Sequence, residues 1–209
     1  MSQRFLILGI GNLLWADEGF GVRCVEYLNE HYDFPDNVEL LDGGTQGLYL
    51  VQHVQETDVL IVFDAVDYGL EPGTLKIVRD DEVPKFMGAK KMSLHQTGFQ
   101  EVLATAEFAG GYPDELLLVG VQPEALEDFG GSLRESVRQQ IAPAVQIALD
   151  FMADRGVQVA LRPERNQVAL SPSQLAMAAY EAGRPAEDQA YRYGDARFIT
   201  PIRSSEDAV

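Results

Sequence analysis

Glu18, Asp64 and His95 offer a carboxylate, a second carboxylate and an imidazole. That donor set suits a divalent metal of borderline softness, such as nickel or zinc. Three protein ligands leave coordination positions open for water or for a ligand brought by a partner. The intervals between them, 46 and 31 residues, form no local motif, so only the fold could bring them together. Each also has an ordinary reading. Glu18 suits the first turn of a helix through the helix dipole, Asp64 suits a turn or cap after a strand, and His95 suits a capping or core position before a helix. Asp17 has the chemistry of a helix cap.

The elements that must position these residues follow from apolar periodicity. Phe5–Leu8, Val38–Leu41, Val59–Phe63, Leu75–Val78 and Leu116–Val119 read as strands. Of these, Val59–Phe63 and Leu116–Val119 are continuous apolar runs of the kind buried on both faces of a sheet, whereas Leu75–Val78 alternates as a strand nearer an edge does. Residues 18–31, 47–55 and 97–108 read as helices. Ser132-Leu-Arg-Glu135 has the pattern of a capping box opening a long helix to about residue 154, which Pro143 should kink or break. The alternation predicts an α/β fold, a three-layer sandwich with a twisted, mostly parallel sheet of about five strands between helices. In such sheets ligands bind beyond the carboxyl ends of the strands. Glu18 ends the segment after the first strand, Asp42-Gly-Gly-Thr45 follows the second, Asp64 follows the third, and His95 precedes the helix near 97.

Composition narrows the function. The 209-residue chain carries a net charge of −17, which repels nucleic-acid backbones and anionic lipid. Its one cysteine, Cys24, cannot close an internal disulfide or build a Cys-rich zinc module, and it reads as a small core residue. His31 and His53 read as surface residues. No apolar run is long enough to span a membrane, and the N-terminus has no signal-peptide pattern, so a reducing cytoplasm is the expected compartment. Gly9-Ile-Gly11 invites a dinucleotide reading, but the third glycine of that fingerprint is replaced by Leu14. Residues 1–159 form the expected domain. Residues 160–209 hold six Arg, no Lys, seven acidic residues and few large apolar ones. They read as a loosely attached extension with one short helix, Ser171-Pro172 at its start and Gly183 after its end, touching a partner or wrapping the core.

The segment Gly9-Ile-Gly-Asn-Leu-Leu-Trp-Ala-Asp-Glu-Gly-Phe-Gly-Val-Arg23 resembles the opening signature of the nickel–iron hydrogenase maturation proteases. So do Asp42-Gly-Gly-Thr-Gln-Gly47, Asp64-Ala65, Pro72-Gly-Thr74, His95-Gln96 and Leu118-Val-Gly-Val-Gln-Pro-Glu124, in the right order over residues 4–158. The resemblance implies an endopeptidase that removes a C-terminal peptide from the precursor of the hydrogenase large subunit after nickel insertion. It implies Glu18, Asp64 and His95 as metal ligands and Asp42 as a further functional residue. The metal would be nickel supplied by the substrate, and zinc or cadmium would suit the same donors. The partner would be that precursor, met transiently by a protein monomeric when free, with no nucleic acid or membrane involved. Metal-assisted and aspartic-type hydrolysis both remain open, with water as the attacking group and Asp42 as a candidate base. A non-catalytic nickel-dependent assembly chaperone and a nucleotide-binding α/β domain are the alternatives. Leu13-Leu-Trp15 is either part of the partner contact or packing beneath its loop.

Overall fold

The computed structural model describes residues 2–87, 94–126 and 128–183, without the side chains of 85–87, 94–97 and 173. The first half runs β1 (Phe5–Ile10), a 3-10 turn (Ala16–Gly19), α1 (Phe20–His31), β2 (Tyr32–Asp33), β3 (Val38–Gly44), a 3-10 turn (Gly47–Leu50), α2 (Val51–Gln55) and β4 (Val59–Ala65). The second runs β5 (Leu75–Arg79), α3 (Glu82–Met87), α4 (Leu94–Phe108), β6 (Glu115–Val121), α5 (Glu135–Arg138), α6 (Ile141–Ala153), β7 (Ala160–Leu161), a 3-10 turn (Ser173–Leu175) and α7 (Met177–Ala182). Among the described residues no helix is long and apolar enough to cross a membrane.

Five strands form one sheet in the order β3-β1-β4-β6-β5. The first four are parallel and β5 runs antiparallel to β6 at the edge, so the expected α/β sandwich with a mostly parallel five-stranded sheet is borne out. Every residue of β1 and β4 is buried, as strands covered on both faces require. Successive side chains point to opposite faces. Phe5, Ile7, Val59, Ile61, Phe63, Leu117 and Val119 join a core completed by α1 and α6. Leu6, Leu8, Leu60, Val62, Leu116 and Leu118 join a second core with Val54 of α2 and Phe99, Val102 and Leu103 of α4.

Three local expectations gain detail. The break expected near Pro143 is present, and it divides the 132–154 segment into two helices, α5 and α6. Pro143 falls in the first turn of α6, where its missing N–H has no partner within the helix anyway. Ser132 is not the cap, because Arg134 takes that position and the Ser132 hydroxyl donates instead to Glu181 Oε1 at 2.6 Å. Of the extension, the described residues 160–183 are bonded to the core. The pair β2–β7 is antiparallel, Arg162 Nε donates to Tyr32 O at 2.9 Å, Asn29 Nδ2 donates to Val168 O at 2.7 Å, and Arg138 is ion-paired with Glu181. Of the two expected roles, wrapping the core fits this strap, residues 160–183; apolar periodicity gave little sign of it because hydrogen bonds and charges hold it. Residues 184–209 lie outside the described residues.

Helix α1 approaches the sheet closely at its start. A Cβ on Gly21 would stand 2.2 Å from Phe63 O and 2.3 Å from Ile10 O. Both contacts are backbone, so the helix itself would have to move. Gly21→Ala is therefore expected to cost about 2–3 kcal/mol, seen as a lower urea midpoint at unchanged slope.

Candidate active site

Glu18 sits in the 3-10 turn between β1 and α1 and is half-buried. Its carbonyl lies against Gly11: a Cβ there would be 1.8 Å from Glu18 O, and Gly11 has φ +132°. Glycine is required at that point by both conformation and space. The turn is pinned by its neighbour Asp17, which is fully buried. Asp17 Oδ2 accepts the backbone N–H groups of Glu124 at 2.8 Å and Ala125 at 2.7 Å, and Oδ1 accepts that of Arg134 at 2.7 Å. Asp17 thus ties the Glu18 turn to the loop after β6 and to the cap of α5, where the sequence suggested only a cap of its own helix.

Asp64, next to last in β4, is also fully buried. It pairs in register with Gly120 of β6. The loop that follows is fastened by Gln122, whose Oε1 accepts Tyr68 N at 2.7 Å and Leu70 N at 3.1 Å, while its Nε2 donates to Asp67 Oδ1 at 3.0 Å. Tyr68 is carried back over the strand ends, where burial, and then the negative charge of Asp64, push its phenol pKa far up. Neither Gln122 nor Tyr68 was singled out in the sequence. The Gln-Pro-Glu124 run was the available signal for the first, and burial of a tyrosine beside a carboxylate has no sequence signal.

Residue His95 falls in the first turn of α4, and its side chain lies outside the described residues. Gly98, one turn on, would place a Cβ 3.6 Å from Gly47 Cα, so the start of α4 stands beside the loop after β3. By strand alternation Asp64 shares a face with Leu60 and Val62, the face on which α4 packs. The Glu18 turn packs against β4. The structure thus gathers the Glu18 turn, Asp64 and the start of α4 at the carboxyl edge. Among the described residues no group of three His, Cys, Asp or Glu side chains forms a metal site, and the expected third ligand, His95, is outside that set.

Asp42 lies on the other side of β1. It pairs with Gly9 in β3 while Gly9 pairs with Phe63 in β4, which separates the Asp42 and Asp64 backbones by two strand spacings, about 10 Å. Alternation sends Asp42 to the face of Leu40 and α1. There Asp42 Oδ2 accepts the hydroxyl of Ser171 at 2.9 Å. Asp42 and Asp64 therefore flank β1 and leave opposite faces of the sheet.

The remaining expected residues separate plainly. Cys24 is buried and its thiol pKa is pushed well up by burial, which disfavours the nucleophilic thiolate. His31 stacks on Tyr27 at 4.1 Å and His53 Nδ1 lies 3.1 Å from Glu39 Oε1. Leu13 is buried, Leu14 is exposed, and Trp15 meets the exposed Phe129 edge-on at 5.3 Å. The segment thus combines packing with an exposed rim. Leu48 and Tyr49, just past Gly47, are exposed at the same edge.

A family model described as hydrogenase maturation protease matches residues 22–151. The chain is 72% identical over 206 residues to the hydrogenase expression/formation protein HoxM of Azotobacter vinelandii, covering 99% of each. It belongs to the hydrogenase maturation protease family. It is accordingly a peptidase, a hydrolase acting in hydrogenase maturation. To the hydrogenase 2 maturation protease of Escherichia coli it is 45% identical over 157 residues, covering 75% of this chain and 94% of that one. The structure of the hydrogenase maturating endopeptidase HybD from E. coli superposes with a TM-score of 0.72 at 43% identity, covering 76% of this chain and 98% of the other. The maturation-protease core is therefore shared with the E. coli proteins. An alignment of 206 of the 209 residues necessarily takes in the strap, so the A. vinelandii relative spans it.

Asp17→Asn tests the clamp that holds the Glu18 turn. An amide keeps one acceptor oxygen and turns its NH2 toward a backbone N–H. The variant is expected to lose about 2–3 kcal/mol, measured by urea denaturation. Unchanged stability would deny the clamp its structural weight.

Proposed function

We propose that this maturation protease removes a C-terminal peptide from the precursor of a nickel–iron hydrogenase large subunit, and that the nickel already held by that precursor is what it recognises. Membership of the family supports the reaction. One observation carries the recognition step: Asp64, a fully buried carboxylate, shares its face with α4 beside the packed Glu18 turn. A carboxylate already withdrawn from bulk water gives up little further hydration when a divalent cation approaches, and the weak screening there strengthens the attraction. The nickel held by the precursor is part of the substrate. Cysteine thiolates of the precursor hold it, and Glu18, Asp64 and His95 complete its coordination. Zinc or cadmium suits the same three donors. A precursor without nickel loses those bonds, so selectivity is a difference in affinity between loaded and empty substrate.

On this reading water attacks the scissile carbonyl and Asp42 takes its proton as general base. The C–N bond then breaks, the new amine takes that proton back from Asp42, and the other product, a carboxylic acid, ionises to a carboxylate. The buried Cys24 is unsuited to be a nucleophile. A backbone separation of about 10 Å between Asp42 and Asp64 allows the nickel and the scissile bond to occupy neighbouring parts of one docked chain, with orientation lowering the barrier.

The decisive experiment mixes the purified protein with nickel-loaded and nickel-free precursor and weighs the products by mass spectrometry. Released peptide from the loaded form alone is expected, and binding without release would indicate an assembly chaperone. His95→Ala should retain the circular dichroism of the parent and weaken binding of loaded precursor at least about tenfold. Undiminished binding and cleavage by that variant would remove His95 from the site.

Asp42→Asn is expected to lower turnover by roughly 10² to 10⁴ while precursor binding survives. Loss of binding instead would make Asp42 a recognition residue, and unaltered turnover would leave activation of the water to the substrate's metal.

A further inference from the structure

The strap makes one contact that its own secondary structure does not require. Ser171 precedes a proline in a segment that ought to cap a helix, yet α7 begins after Ala176. Its hydroxyl donates instead to Asp42 Oδ2 at 2.9 Å. Ser171 is only 7% exposed, so water competes poorly for that bond. The strap is fastened on both sides of it. Asn29 Nδ2 donates to Val168 O at 2.7 Å before it. After it, Arg23 Nη1 donates to Leu175 O at 2.7 Å, with the Arg23 guanidinium itself paired to Glu26 at 2.7 Å. Further on, Tyr180 Oη donates to Leu14 O at 3.4 Å, on the loop that carries Glu18.

We propose that Ser171 is a positioning residue for Asp42, so that the strap is a working part of the site. The inference rests on the reading of Asp42 as the base. A carboxylate has two oxygens and a free torsion. The Ser171 bond occupies Oδ2 and fixes that torsion, and Oδ1 accepts no hydrogen bond from the described residues. Oδ1 lies 3.5 Å from where a Cβ on Gly44 would stand, so a residue without a side chain keeps that approach uncrowded. One oxygen anchored and the other available is the arrangement a general base needs. A tail serine thereby sets the geometry of a residue 129 positions earlier.

The test uses the full chain and nickel-loaded precursor, with kcat and KM measured for Ser171→Ala, Ser171→Thr, Asp42→Asn and the Ser171→Ala/Asp42→Asn double variant. Ser171→Ala is expected to lower kcat roughly tenfold or more with KM within about twofold of the parent. Ser171→Thr, which restores the hydroxyl, should recover most of that loss. In the Asp42→Asn background the alanine substitution should cost nothing further, since it acts through the same carboxylate. Urea denaturation of each variant checks the fold. Should Ser171→Ala fail to fold, Ser171→Cys keeps the volume with a weak donor and is expected to show the same loss in kcat. Parent-like kcat in Ser171→Ala beside a dead Asp42→Asn overturns the inference and leaves Asp42 as the base. Equal impairment of the alanine and threonine variants, or additive losses in the double variant, also overturns it. Parent-like cleavage by Asp42→Asn instead defeats the reading of Asp42, and this inference with it.

Discussion

A single buried carboxylate holds the chemical edge together. Asp17 is fully buried and accepts three backbone N–H groups from two segments more than 100 residues away in sequence. A carboxylate so deeply placed is tolerable only when donors replace the lost water. Here they do, and their positions dictate where the loops after β1 and β6 can lie. Glu18 is the next residue, so its placement is a by-product of that satisfaction. The glycine at position 11 serves the same end from below, because the Glu18 carbonyl sits where any side chain would stand. The first turn of the site is thus set by hydrogen-bond accounting and by close backbone approach, with apolar packing supplying the platform.

Much of the platform was legible. Val59–Phe63 and Leu116–Val119 are uninterrupted apolar runs, and both proved to be central strands buried on both faces. Leu75–Val78 alternates and is the antiparallel edge. What was not legible depends on long-range partners. Ser132 and Glu135 match a capping box, yet Ser132 turns to Glu181 in the strap, because a tertiary partner outbid a local one. The strap itself lacks the apolar periodicity by which packed elements announce themselves. Its anchors are Asn29, Arg23, Arg138 and Arg162, side chains that read as solvated charges and amides until their partners are known.

The candidate site divides the same way. That Glu18, Asp42 and Asp64 would face one edge followed from their places after parallel strands. That Asp42 and Asp64 would leave opposite faces did not, since it depends on the register of β3 and β4 against β1. The alternation of Leu40, Leu41 and Asp42 determines the face of Asp42 only together with the pairing of Asp42 and Gly9.

This division bears on selectivity under the proposed reading. A base standing beside the metal ligands would meet any peptide that binds there. A base held across β1, on the face that carries α1 and the strap, meets only a chain long enough to engage both sides. Nickel bound at the α4 side then contributes affinity, and the reach across β1 contributes alignment. Neither alone brings a scissile bond to the carboxylate, so an empty precursor fails first on affinity and a foreign peptide carrying a metal fails on geometry. The acidic balance of the chain, −17 in all, works in the same direction. Its long-range field favours cationic surfaces and repels acidic ones, which leaves short-range coordination to decide among the substrates that approach.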